Sequence, residues 1–217
     1  MGKWWANFQE FVPILLQGTV FTVEITFFSI LLSITLGFFL SLALVSKRSW
    51  LRTPIRVFIN IVRGTPLLVQ MFYVYFVLPD LGIRLSAMQA GIAGLSICYS
   101  AYHAETFRAG IISIHNGQWE AAKAIGLRYW QVMARIVLPQ AARVILPPMG
   151  TSCIILMKDS SLASVITVRE LTRAGQLLAS TTFENMQIFT MVAVIYVALT
   201  QVLAFIIQRL EMKVKIP

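Results

Sequence analysis

Four consecutive polar residues, Lys158, Asp159, Ser160 and Ser161, interrupt the apolar C-terminal half of the chain. A serine beside a lysine can act as a nucleophile, but here the order is Lys-Asp-Ser-Ser rather than Ser-x-x-Lys. His103 and His115 are twelve positions apart and lack His-Glu-x-x-His spacing, so no zinc site is expected. His103 reads instead as a hydrogen-bonded interior residue. No Ser/His/Asp set stands out, and no Gly-rich loop ends in Gly-Lys-Ser/Thr to hold ATP phosphates. No catalytic residue, metal site or cofactor is therefore expected on this chain.

The elements that must position these groups are apolar. The chain has 217 residues, of which 58% are hydrophobic and 12% charged, with mean hydropathy +0.76. Soluble domains carry about 25% charged residues, so the composition predicts an integral membrane protein in one domain, residues 1–217. The net charge of +9 is spread through apolar sequence. It reports topology and not nucleic-acid binding. Cys98 and Cys153 read as small apolar interior residues, and Trp4 and Trp5 as interfacial anchors of a chain that keeps its start.

Taken in order, residues 11–46 carry one charge, Glu24. That length predicts an outer interfacial segment running into a transmembrane helix that ends before Lys47 and Arg48. Glu24 sits either near the outer interface or towards the bundle interior. A basic loop (Lys47, Arg48, Arg52, Arg56) precedes a second span from about Ile55 to Leu78. Pro66 in Arg63-Gly64-Thr65-Pro66 is expected to kink it, with Thr65 or a neighbour satisfying the freed carbonyl. Gln70 follows one turn later. Leu85 to Ala104 is an uncharged third span rich in small residues for close packing, and Glu105 and Arg108 beyond it form an i,i+3 pair.

Residues 113–139 form a polar loop. Asn116 and Gly117 can start a helix, placing Glu120 in its first turn, where a carboxylate complements the helix dipole. Ala121, Ala122 and Ala124 leave one face bare for another surface to approach. Gly126 is expected to weaken or bend the helix, and Pro139 to stop the next piece. A fourth apolar run, Val144 to Met157, covers about 21 Å, too short to cross alone. With Pro147-Pro148 inside it and Lys158-Asp159 directly after, it predicts a broken helix lining a solute path. An amphipathic outer segment, Val168 to Ser180, carries Arg169, Glu170 and Arg173. The last span is Asn185 to Gln208, with Arg209, Lys213 and Lys215 behind it.

Five spans place the termini on opposite sides. Putting the Lys47–Arg56 loop, the 113–139 loop and the C-terminus inside assigns 13 of the 18 Lys and Arg to that side. The positive-inside bias therefore predicts the N-terminus outside and the C-terminus in the cytoplasm.

The pattern Glu120-Ala121-Ala122, three residues, Gly126, nine residues, Ile136-x-Leu138-Pro139 resembles the EAA loop of membrane subunits of bacterial ABC importers. The likeness covers almost the whole chain. Arg63-Gly64-Thr65-Pro66 with Leu67 to Gln70, Tyr102 to Gly110, Leu138 to Ala141, Leu146-Pro147-Pro148, Lys158 to Leu162 and Glu170 to Arg173 are similar to permeases of polar amino acid importers. These are the histidine, glutamine, arginine and cystine group. Gly117-Gln118-Trp119-Glu120 and Gln140 to Val144 are nearest in wording to the cystine branch.

The resemblance implies an all-α, five-span type I ABC importer permease fold in the bacterial inner membrane. It implies a second permease copy or sister chain, two cytoplasmic ATPase subunits that bind ATP and Mg²⁺, and an extracytoplasmic substrate-binding protein. Glu120, Ala121, Ala122 and Gly126 would form the coupling helix in the ATPase groove. An amino acid zwitterion needs an acidic partner and polar donors. Lys158, Asp159, Ser160 and Ser161 could supply them, with Thr65 and Gln70 approaching from the second span. Alternatively, Lys158 and Asp159 are simply an ion pair at the outer interface. A stand-alone ion-coupled carrier titrating Glu24, Glu105 or Asp159 is the competing function, and a membrane scaffold is a third. The absence of an internal repeat weighs against the carrier.

Overall fold

The computed structural model describes the backbone of residues 2–214 and the side chains of residues 7–213. Trp4, Trp5 and Lys215, and the roles expected of them, lie outside that description. Among the described residues all regular structure is helical. Helix α1 (Gly2–Leu44) has 43 residues, about 64 Å at 1.5 Å per residue. The expected division into an interfacial segment and a span is absent, because Pro13 lies inside one continuous helix. Glu24 is on its exposed side, away from the bundle interior.

The second span is not a kinked helix but two helices. Helix α2 (Ser49–Gly64) and helix α3 (Leu67–Phe72) meet at an angle of 106°. Pro66 disfavours helical backbone in the residue before it, and Thr65 is extended at φ −109°, ψ 133°. The freed carbonyls are satisfied locally. Thr65 Oγ1 donates to the Ile61 carbonyl at 2.9 Å, and Gln70 Nε2 donates to those of Val62 and Thr65 at 2.8 and 2.9 Å.

A π turn, Tyr73–Val77, continues α3 into a 3-10 turn, Leu78–Leu81. A second π turn, Met133–Val137, joins helix α6 (Tyr129–Val132) to helix α7 (Leu138–Asp159). Each π turn directly precedes a Leu-Pro pair, Leu78-Pro79 and Leu138-Pro139. Proline lacks an N–H and clashes with the carbonyl four residues back. In both turns the leucine N–H reaches back five residues instead, Leu78 to Tyr73 and Leu138 to Met133. That wider turn carries the helix past the proline. Pro139 therefore does not stop a helix as expected. Residues 129–166 form one helical run of 38 residues, with Pro147 and Pro148 inside α7. The fourth apolar run is thus the middle of a long helix and not a short broken one. A 3-10 turn, Ser160–Ile166, follows Asp159.

Helix α4 (Ala87–Ile112) starts at a capping box in which Ser86 and Gln89 bond reciprocally. It is the central element, packed by α1, α2, α3 and α7. Among the described residues three runs are long and apolar enough to cross a membrane, residues 7–44, 129–166 and 185–213; the bent α2–α3 pair makes a fourth. Helix α4 falls below that level of apolarity. Protein surrounds it, so Ser96, Ser100 and His103 can be buried in it without facing lipid.

Small residues bring the helices together. A Cβ on Gly37 of α1 would come within 2.7 Å of His103 Cβ. A Cβ on Gly18 would meet Ala174 Cβ at 2.8 Å, where helix α8 (Leu171–Thr182) crosses α1. Cys98 and Cys153 are buried and unpaired.

The largest departure from the sequence reading is Glu170. It is fully buried rather than on the polar face of an outer segment. It caps α8, accepting from Thr172 N at 2.8 Å and Arg173 N at 2.7 Å. Tyr196 of helix α9 (Asn185–Val214) donates its hydroxyl to the same carboxylate at 2.8 Å. Thr22 of α1 accepts from Leu171 N at 3.0 Å. One junction therefore joins α1, α8 and α9.

Candidate functional site

Helices α4 and α7 run antiparallel, and between them lies a cavity of about 940 Å³. Its α4 wall is Tyr99, Tyr102, Glu105, Thr106 and Ala109, and its α7 wall is Pro148, Thr151, Ser152 and Asp159. Each set recurs at three- and four-residue spacing, so each is one helical face. Arg63, Gly64 and Thr65 close one side, because the α2–α3 break exposes them there.

Asp159, at the C-terminal end of α7, accepts from the Tyr99 hydroxyl at 2.7 Å. The Arg63 guanidinium stacks over the Tyr102 ring, 5.3 Å from its centroid. Arg108 Nε donates to Glu105 Oε2 at 2.6 Å, the pair expected from their spacing. His103 is fully buried behind the wall, 3.1 Å from Ser152 Oγ through Nε2. The cavity thus offers carboxylates at Asp159 and Glu105, a guanidinium at Arg63, and hydroxyls between them. Such a set can hold a small solute bearing both charges.

The expected pathway residues divide. Asp159 and Thr65 line the cavity. Ser160 does not: it is buried and its hydroxyl donates to the Met157 carbonyl of its own helix at 2.7 Å. Gln70 is engaged at the α2–α3 break, and Lys158 and Ser161 also lie off the lining. Lys158 is exposed and makes no ion pair with Asp159, whose partner is Tyr99. Tyr99, Arg63, Thr151 and Ser152 were missed. The available signal was polar residues at helical spacing inside two apolar runs.

The loop between α4 and α7 contains helix α5 (Asn116–Ala124). His115 caps it, its Nδ1 accepting from Gly117 N at 3.1 Å. Glu120 therefore falls in the second turn, past the N–H groups it was expected to complement. Gly126 ends the helix rather than bending it. It adopts φ +77°, with Gly126 N bonded to the Lys123 carbonyl at 2.9 Å and Leu127 N to that of Ala122 at 3.1 Å. Ala122 is buried against Val132 and Met133. Glu120, Ala121, Ala124 and Gly126 are exposed, with Ile125 75% exposed beside them. The bare face is thus real, and Ala122 anchors its back.

Long apolar helices, a charged cavity between two of them, and a loop presenting a short exposed helix define a membrane permease. Residues 5–216 match the family model described as binding-protein-dependent transport system inner membrane component. The probable amino-acid ABC transporter permease protein YckA of Bacillus subtilis is 40% identical over 94% of this chain and 90% of its own length. The glutamine transport system permease protein GlnP of Escherichia coli is 37% identical over 98% of both. A solved structure described as an amino acid ABC transporter with histidines superposes with TM-score 0.87 and 31% identity, over 96% of this chain and 97% of that one. The chain belongs to the family of inner membrane components of binding-protein-dependent transport systems.

Proposed function

We propose that this chain is the permease subunit of an ATP-driven importer for a polar amino acid, in the bacterial inner membrane. The observation that carries the reading is the α4–α7 cavity, whose Asp159, Arg63 and Glu105 suit a zwitterion. The relatives YckA and GlnP support the amino acid class. Five crossings follow if α4 is the third: α1, the α2–α3 pair, α4, α6–α7 and α9. The N-terminus then lies outside and α5 in the cytoplasm.

In that orientation Glu120, Ala121 and Gly126 present α5 to a groove on an ATPase subunit, and Ala122 ties it to α4 and α7. ATP and Mg²⁺ belong to the paired ATPase subunits, and a second permease completes the pathway. An extracytoplasmic binding protein delivers the solute. Closure of the ATPases moves α5 and, through the long α6–α7 run, the cavity wall, which is rigid-body alternating access. Thr65, Tyr99, Ser152 and Asp159 contact the solute.

The test is reconstitution with ATPase and binding protein in proteoliposomes. Wild type couples ATP hydrolysis to amino acid uptake, whereas Glu120→Lys with Gly126→Asp hydrolyses ATP without uptake. Uptake driven by a proton or sodium gradient, with no ATPase present, would overturn the reading in favour of an ion-coupled carrier.

A further inference from the structure

Helix α2 carries three separate strips. Ile55, Ile59 and Val62 pack inward with Leu44 of α1 and Ala101 and Ala104 of α4. Trp50, Val57 and Ile61 form a second apolar edge, 69%, 51% and 63% exposed. Arg48, Arg52 and Arg56 follow at four-residue spacing along a third, with Lys47 just before them, and all four are exposed. No Asp or Glu occurs between Glu24 and Asp80. Among the described residues, none of these four cations has an acidic partner within 4.0 Å.

The 106° turn at Thr65-Pro66 swings α2 across the direction of α3. It lies against α4 near Ala104, about 12 Å short of that helix's end at Ile112. A helix placed sideways at that depth, apolar on one free edge and cationic on another, has the design of an interfacial helix. We propose that α2 lies in the cytoplasmic leaflet and that Arg48, Arg52 and Arg56 bind the headgroups of anionic phospholipid, with Trp50, Val57 and Ile61 in the acyl region. This rests on the orientation proposed above. The charge complementarity selects the occupant: exposed arginines with no acidic partner within 4.0 Å among the described residues favour an anion, and the exposed apolar edge of the same helix favours one that carries acyl chains.

The test uses the permease–ATPase complex in phosphatidylcholine vesicles containing a trace of photoactivatable phosphatidylglycerol, with adducts mapped by mass spectrometry. Adducts are expected on α2, competed by unlabelled phosphatidylglycerol but not by phosphatidylcholine. Arg52→Gln with Arg56→Gln reduces them roughly tenfold or more, and Arg52→Lys with Arg56→Lys retains them. Equal competition by both lipids, labelling unaffected by the glutamine changes, or labelling only when the ATPase is omitted would overturn the proposal. The last outcome would assign the arginines to the ATPase. ATP-driven amino acid uptake is measured in the same vesicles after addition of the binding protein. Uptake without lipid preference sinks the lipid site alone, while absent uptake with intact labelling sinks the transport reading alone.

Discussion

The Tyr99 hydroxyl donates to Asp159 Oδ2 at 2.7 Å and ties the middle of α4 to the end of α7. The two residues are 60 positions apart, and both line the cavity. A charge-assisted bond of this kind contributes about 1.5–3 kcal/mol. Asp159→Asn keeps the shape but removes the charge that would face a solute ammonium. It is expected to lower ATP-driven uptake at least tenfold while basal ATP hydrolysis by the complex persists. Tyr99→Phe leaves the carboxylate free and is expected to change the KM for uptake more than the maximal rate.

Gly126 holds φ +77°, a conformation that costs a side-chain-bearing residue about 1 kcal/mol or more. Gly126→Ala should fray the end of α5 and weaken coupling. Gly126→Asn should do less harm, since asparagine tolerates the left-handed region. The ratio of uptake to ATP hydrolysis in proteoliposomes ranks the three as glycine, asparagine, alanine.

Glu170 gathers two backbone N–H groups and the Tyr196 hydroxyl inside the protein. Glu170→Ala removes the cap from two part-buried backbone N–H groups and leaves the Tyr196 hydroxyl to Thr172 Oγ1, an expected loss of about 2–3 kcal/mol. Glu170→Gln keeps an acceptor and should lose about half as much. Thermal denaturation of the detergent-solubilised protein reads both. Tyr196→Phe should fall below either, because it removes one donor and leaves the cap.

Gly37 permits α1 to lie directly on α4 at His103. Gly37→Val forces a Cβ into His103 Cβ and the Ser100 carbonyl, with an expected cost of about 2 kcal/mol or more. The expected readout is a lower thermal midpoint and faster proteolysis, with membrane insertion unchanged.

Much of this was readable locally. The Glu105–Arg108 pair, the small-residue surface of α4 and the helix in the 113–139 loop depend on spacing within a few residues, and each forms. The misreadings share a different origin. Proline's cost in an α-helical register predicts a stop at Pro139, whereas the π turn before it removes the clash. Pro66 alone predicts a kink, whereas the full break at Thr65-Pro66 is held by Gln70, whose bonds to the Val62 and Thr65 carbonyls span eight and five residues. Glu170 looked like a surface charge because Thr22 and Tyr196, which enclose its junction, lie on distant helices. Burial of Ala122 against Val132 and Met133, and alignment of Tyr99 with Asp159, are likewise products of packing between separate elements.

Passage of an amino acid between α4 and α7 can be tested with a cysteine at Thr151. Thr151 is exposed within the cavity lining and bonds only to the Pro147 carbonyl of its own helix. With Cys98 and Cys153 changed to serine, Thr151→Cys is treated with a charged methanethiosulfonate reagent in proteoliposomes containing ATPase and binding protein. Modification is expected to abolish ATP-driven uptake, and the transported amino acid to slow the labelling. Full modification of Thr151→Cys with uptake undiminished would contradict passage by this route.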